Sequence, residues 1–317
     1  MTALPAGPRA RRGGRPGGRP ARRPDGEGPR RGDLRAALVF LLPATIGFVV
    51  FYLVPAVRGA WFSLTDYSVL APPRFVGLEN YDRLVHDPLF WNAMGVTATY
   101  VVINIGLQTV VAIGLAVLMQ RLTRSVLVRG AVLLPYFVAN VVVALVWFFM
   151  LDYQMGVVNV LLQKVGVDPQ AFFGDPTLAL PTIALINVWR HMGYTALLIF
   201  AGLQAISPQV YEAAELDGAG AWRQFRSVTL PLLRPVLALV LVVTITGSFQ
   251  IFDTVAVTTA GGPIDATRVI YLYIYDLAFG QLDFGYASAL SVVLFVVLLG
   301  IALLQLRLTR ANESDAS

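Results

Sequence analysis

Six long apolar runs alternate along the chain with stretches rich in charge, glycine and proline. They cover roughly residues 36–55, 94–118, 130–150, 180–203, 236–252 and 287–306. About 20 residues at a rise of ~1.5 Å cross a hydrocarbon layer of ~30 Å, so each run predicts a membrane-spanning helix. The pattern predicts an all-α integral membrane protein with six transmembrane helices.

Polar residues inside these runs are few and grouped. The second run carries Thr97, Asn104 and Gln108, the third Pro135, Tyr136 and Asn140, and the fourth Trp189, Arg190 and His191. In the fifth, Thr244, Thr246, Gly247, Ser248 and Gln250 crowd the second half, just ahead of Asp253. Hydrocarbon offers such groups no partner, so they must meet other helices, backbone or a water-filled path. For such a path the expected solute contacts are Asn140, Ser248 and Gln250 through hydrogen bonds, and Gly247 through close approach. Pro135 predicts a kink. Arg190 either anchors a neighbouring helix through a carbonyl or an acid, or lines the path.

Between the fourth and fifth runs, residues 202–235 read GLQAISPQVYEAAELDGAGAWRQFRSVTLPLLRP, an amphipathic stretch with three acids and three arginines. Ser207 suits a helix N-cap and Pro208 its first turn. Glu212, Ala213, Ala214 and Glu215 continue that helix, and Gly218 permits a turn. In the next pattern Ala221, Phe225 and Val228 fall on one side. Pro231 and Pro235 lead into the fifth run. Periodicity leaves two readings: a loop packed on its own helices, or a docking element offering small residues, an aromatic face and carboxylates to another protein.

Composition narrows the chemistry. With 56% hydrophobic and only 14% charged residues, 317 residues carry too little charge for a soluble surface. The absence of cysteine excludes disulfides and thiolate chemistry, and two histidines, His86 and His191, are too few for a histidine-rich metal site. Glu212 and Glu215 lie three apart, yet they are ordinary exposed helix carboxylates with no histidine near in sequence. No catalytic or metal site is read there. Gly261 and Gly262 before Pro263 predict a tight turn, without the lysine and Ser/Thr of a phosphate loop. No such loop occurs elsewhere in the chain, so any ATP must be handled by a different subunit.

The net charge of +5 is concentrated. Ten arginines fall between Arg9 and Arg35, in a Gly- and Pro-rich tail expected to be disordered. With no interleaved aromatics and no adjoining soluble domain, its counter-charge is an anionic membrane surface and not nucleic acid. Placing both termini, the Arg121–Arg129 connection and the 202–235 stretch on one side collects eighteen of the 24 basic residues there. The opposite side keeps Arg58, Arg74, Arg83, Lys164 and Arg268. The positive-inside rule thus puts the N- and C-termini in the cytoplasm.

The 202–235 stretch closely resembles the EAA loop of permease subunits of binding-protein-dependent ABC importers. The matching positions are Glu212, Ala213, Ala214, Asp217, Gly218, Ala219, Phe225, Leu230, Pro231 and Pro235. FVGLENY at 75–81, GVVNVLLQKVGV at 156–167 and the Gly261–Pro263 turn are similar to segments of the sugar-type members. The likeness covers residues 34–307 and implies the type I ABC importer permease fold, with a cytoplasmic coupling helix between spans 4 and 5. It divides the chain into a tail at 1–33, a permease domain at 34–307 with its coupling loop at 203–235, and a short cytoplasmic end at 308–317. Glu212 and Asp217 would position the coupling element, Gly218 would make its turn, and Phe225 and Leu230 would anchor it.

The implied partners are a cytoplasmic ABC ATPase dimer holding ATP and Mg, a second homologous permease forming a heterodimer, and an extracytoplasmic solute-binding protein or lipoprotein. The chain itself would bind no cofactor and would sit in a prokaryotic cell membrane, passing a sugar or related polyol. The rival readings are an ion-coupled secondary transporter, a non-transporting scaffold and, within the ABC class, a carrier of a non-sugar solute.

Overall fold

The computed structural model describes residues 31–69, 72–122 and 125–314. The expected disordered tail lies outside the described residues up to position 30, and so does Arg124. The chain divides into two compact units, residues 1–56 and 57–317. The described part of the first is the helix Arg31–Phe48, a π-helical turn Val49–Leu53 and the start of the helix Val54–Phe62. The apolar window Val39–Phe62 is long enough to cross a membrane.

In the second unit four more helices pass the same test: Pro88–Gln120, Ala179–Gln204, Arg234–Thr258 and Phe284–Arg307. A sixth span arises where Val126–Phe137 and Asn140–Met150 are taken together, although they meet at 91°. All six apolar runs therefore appear as helices, and among the described residues the all-α multi-span fold has five spans, or six with the bent pair taken as one.

The bend is larger than the kink expected from Pro135. The first half-helix ends at Phe137, and Val138 and Ala139 are extended before the chain restarts at Asn140. Proline removes an intrahelical donor and crowds the preceding turn, which favours a stop here. The fifth span departs from expectation too, running past 252 to Thr258. Its main helix, Arg234–Phe249, is followed by a break at Gln250–Phe252 and a short helix, Asp253–Thr258. Asp253 marks a restart, since a carboxylate in the first turn faces the positive end of the helix dipole.

The fourth span is the most enclosed. It buries fourteen residues, among them Ile183, Ala184, Ala196 and Ile199. At Gly193 it touches the first half of the bent span so closely that a Cβ would overlap the Val132 carbonyl. Three polar residues of the second span are buried and bonded, as the sequence demanded. Thr97 donates to the Ala93 carbonyl and accepts the backbone N–H of Ile270, while Asn104 and Gln108 reach the fifth and fourth spans.

Short helices cover one end of this unit. Ile270–Tyr275 with its π-helical extension to Gly280 packs into a core cluster with Leu84, Phe90 and Leu290. Asn80 is buried, donating to the carbonyls of Ser63 and Thr65 at 3.0 and 2.8 Å. Asp87, just before the second span, accepts the hydroxyls of Tyr273 at 2.5 Å and Tyr286 at 2.6 Å. Burial pushes its carboxyl up, but those hydroxyls and the N–H groups of Leu89 and Phe90 outweigh it and hold the group below the usual carboxylate range.

Candidate functional site

Both interrupted spans meet at one cavity of about 520 Å³. Asn140 begins the second half of the bent span and Asp253 begins the second half of the fifth; Asn140 Nδ2 donates to Asp253 Oδ2 at 3.0 Å. Breaks in spanning helices expose backbone and helix ends, which are tolerated where they line a cavity or are buried in protein.

The four residues expected along a solute path, Asn140, Gly247, Ser248 and Gln250, all line this cavity. Ser248 is nearly enclosed, and its Oγ accepts Asn104 Nδ2 at 2.9 Å while donating to the Thr244 carbonyl at 2.7 Å. Asn104 Nδ2 also meets Gln108 Oε1 at 3.2 Å, and Gln108 Nε2 donates to Thr195 Oγ1 at 2.8 Å. These bonds tie the second, fourth and fifth spans together along the wall. Gly247 faces open space, since a Cβ there would meet nothing within 4 Å. Its lack of a side chain leaves room.

Sequence reasoning did not single out Asn104 for this site, nor Asn187, Tyr194 or Thr195, which line the same cavity. The signal for Asn104 and Asn187 was the rarity of amides in a span, but periodicity could not show which faces converge. Two lining residues keep an acceptor in hand: Asn104 Oδ1 and Asn140 Oδ1 are buried without a hydrogen-bond partner among the described residues. Tyr136 and Tyr194 stack with centroids 4.6 Å apart, giving the wall an aromatic face. Arg190 supplies the anchor weighed from sequence. Its Nε and Nη2 donate to the Val138 carbonyl at 3.1 and 3.0 Å, and Nη2 also to the Tyr136 carbonyl at 3.2 Å.

The 202–235 stretch folds as a helix, a turn and a second short helix. Glu212, Ala213 and Ala214 lie on Pro208–Leu216, which has no buried residue. Ser207 occupies the N-cap position without capping, because its hydroxyl turns to Gln209 Oε1. The C-terminal end closes by a paired backbone motif in which Ala219 N–H reaches the Ala214 carbonyl and Gly218 N–H the Glu215 carbonyl, both at 2.9 Å. Asp217 is the C-cap, and Gly218 takes φ +74°, which a side chain would strain.

After Ala221–Gln224 the chain widens into a π-helical turn, Phe225–Thr229, so the side shared by Ala221, Phe225 and Val228 does not continue as a regular helix face. Phe225 is half-buried and lies 5.7 Å from Trp222, centroid to centroid. Leu230 and Pro231 are half-buried in the short helix Leu230–Leu232. The enclosed members are Thr229 and Leu233, the latter in a cluster with Leu203 and Val240. Meanwhile Leu216 is 90% exposed and Trp222 73%. The carboxylates and the apolar tips thus point away from the chain's own core.

A family model described as the binding-protein-dependent transport system inner membrane component matches residues 108–311. The chain belongs to this family. It is 33% identical, over 88% of its length and 95% of the relative's, to the trehalose/maltose transport system permease protein MalF of Thermococcus litoralis. It is 35% identical to the sulfoquinovosyl glycerol transport system permease protein SmoG of Agrobacterium fabrum, over 89% of its own length and 92% of that protein's. Among solved structures, a chain of a bacterial alginate ABC transporter, in complex with an alginate pentasaccharide-bound periplasmic protein, superposes with a TM-score of 0.79 at 25% identity. That match covers 89% of this chain and 96% of the other.

The protein is therefore a multi-pass inner-membrane permease subunit of an ABC importer, without catalytic activity of its own. It works with an ATPase, a paired permease and an extracytoplasmic solute-binding protein.

Proposed function

We propose that this permease passes a carbohydrate or related polyol through the cavity between its interrupted spans, with Asn140, Ser248 and Gln250 exchanging hydrogen bonds with hydroxyl groups and Gly247 leaving them space. The observation that carries the cargo class is the pair of buried, unpartnered acceptors on Asn104 and Asn140 in a cavity that also offers amides, hydroxyls and a stacked tyrosine pair. Polyols need several acceptors and donors at short range and stack through their C–H faces on aromatic rings. The relatives named for trehalose/maltose and sulfoquinovosyl glycerol transport support the same class.

The helix Pro208–Leu216 and its Gly218 turn act as the coupling element, lying in the cytoplasm where the ATPase docks, with Glu212, Ala213, Ala214, Asp217, Ala219, Phe225, Leu230 and Pro231 around the contact. Its exposed carboxylates and the exposed Leu216 and Trp222 support that reading over a loop packed on its own helices. The permease is six-spanning with both termini cytoplasmic, its domain running over 34–307, and it pairs with a different permease. Driven by ATPase closure, the spans alternate the cavity between two states, and the coupling element biases which state is populated.

The test of cargo is calorimetry on the cognate binding protein against a panel of sugars, polyols and sugar phosphates. A ligand from that panel is expected. Binding only to compatible solutes or lipids would sink the cargo class while leaving the permease assignment standing.

A further inference from the structure

Arg190 and His191 stand side by side in the fourth span, on the wall of the cavity and against the break in the bent span. The first half of that span, Val126–Phe137, ends with carbonyls to which no following helical turn donates. The guanidinium takes two of them, those of Tyr136 and Val138, in a three-bond fork. A cation at a helix C-terminus is also favoured by the dipole. Close approach at Gly193 holds the same half-helix against the fourth span.

What orients the fork is the neighbouring imidazole. His191 Nδ1 lies 2.8 Å from the Asn187 carbonyl, which can only accept, so the ring proton sits on Nδ1. Nε2 is then a bare lone pair, and Arg190 Nη1 donates to it at 2.8 Å. This arrangement exists only for a neutral imidazole. A proton on Nε2 would turn its sole acceptor into a donor facing a guanidinium.

The groups that face the pair are few. From the bent span come the Tyr136 ring, edge-on to His191 with centroids 5.9 Å apart, and Asn140; from the fourth span Tyr194; from the second Tyr100; and from the fifth Asp253, which Asn140 already engages. Among the described residues, Asp253 is the one carboxylate on the cavity wall.

We propose that Arg190 and His191 are positioning residues for transport: neutral His191 aims the Arg190 guanidinium, which fixes the break of the bent span and with it the cavity wall that carries Asn140. Neither residue needs to touch the solute. The consequence is an acid limb in transport, because protonation of His191 releases the fork and lets the two half-helices move. This inference rests on the permease reading above, and the experiment separates the two.

The full importer, assembled in nanodiscs, would be assayed for ATP hydrolysis, with ATP as substrate and the cognate binding protein as purified from cells as the stimulus. Stimulation of the wild-type complex at pH 8 tests the permease reading by itself. The inference is tested by the ratio of wild type to His191→Gln as pH falls from 8 to 5.5, which cancels the pH responses of the other subunits. Glutamine offers an acceptor to Arg190 and a donor to Asn187 but does not titrate. The wild-type to variant ratio is expected to fall at least threefold, with the fall at the acid end of that range because the guanidinium beside Nε2 opposes its protonation.

A ratio constant with pH overturns the proposal. Should His191→Gln fail to assemble, Arg190→Lys serves in its place, since it removes the fork and must remove the acid limb with it; an acid limb equal to that of wild type overturns the proposal there too. Nitrogen-15 spectra of histidine-labelled protein give a second reading. A neutral Nδ1–H signal that vanishes in His191→Gln is expected, and an Nε2–H signal in its place overturns the proposal.

Discussion

Gly218 shows how one backbone angle can carry a function. At φ +74° its conformation costs a β-branched residue about 1–2 kcal/mol, and the turn it makes aims the exposed helix Pro208–Leu216. Gly218→Val should therefore lose binding-protein-stimulated ATP hydrolysis while the spans remain inserted. Unchanged stimulation in a correctly assembled complex would count against the coupling role.

Asp87 makes a different prediction. Its carboxylate is held below the ordinary range, so whatever stability it contributes is fully present above ~3.9, the unfolded value, and drains only as pH falls through the lower native value. Asp87→Asn, which weakens two charge-assisted bonds from Tyr273 and Tyr286, should cost about 1–3 kcal/mol. The fall in Tm should be the same at pH 7 and pH 5. A deficit that shrinks by pH 5 would contradict the assigned direction.

At the scale of helices, the crossing at Gly193 and the amide ladder of Asn104, Gln108, Thr195 and Ser248 set how the spans pack. Small residues let helix backbones approach in a membrane, where no hydrophobic force drives association. Gly193→Val has no space against the Val132 carbonyl and should separate the fourth span from the first half of the bent one, read as loss of a disulfide cross-link engineered between them. Gln108→Leu removes the interhelical bond to Thr195, together with the Asn104 contact within its own helix, and should lower stability by about 0.6 kcal/mol, at most ~1.7, by the measured range for interhelical bonds in membranes.

Several helix properties were legible from the pattern alone. Run lengths gave the apolar helices of all six runs, and Pro135 marked the place of the bend. The size of that bend was not legible, because it depends on Arg190 supplying partners to the Tyr136 and Val138 carbonyls from 52 or 54 residues away. Nor was the restart at Asp253, since an acid after an apolar run reads equally as an exit from the membrane and as the first turn of another helix. The π-helical turn at Phe225–Thr229 likewise shifts the register that a regular helix would keep, with Phe225 half-buried and Leu233 enclosed beyond it.

For the molecule as a whole, charge distribution and family membership act together. The basic residues gathered on one side predict cytoplasmic termini. A fluorescent protein fused after Ser317 should therefore mature and fluoresce in whole cells; a dark fusion that is active as an extracytoplasmic phosphatase fusion would reverse the orientation.

The sequence by itself determined the class of the protein, the places of its apolar runs and the amphipathic character of the 202–235 stretch. Those depend on composition, period and local turn chemistry, which are written in consecutive residues. Only the tertiary structure decided which polar side chains share a cavity. Asn104, Asn140, Ser248 and Asp253 lie on three different spans, and their convergence depends on two helix breaks and one arginine bond that link positions far apart in the chain. Long-range geometry of that kind has no period to read.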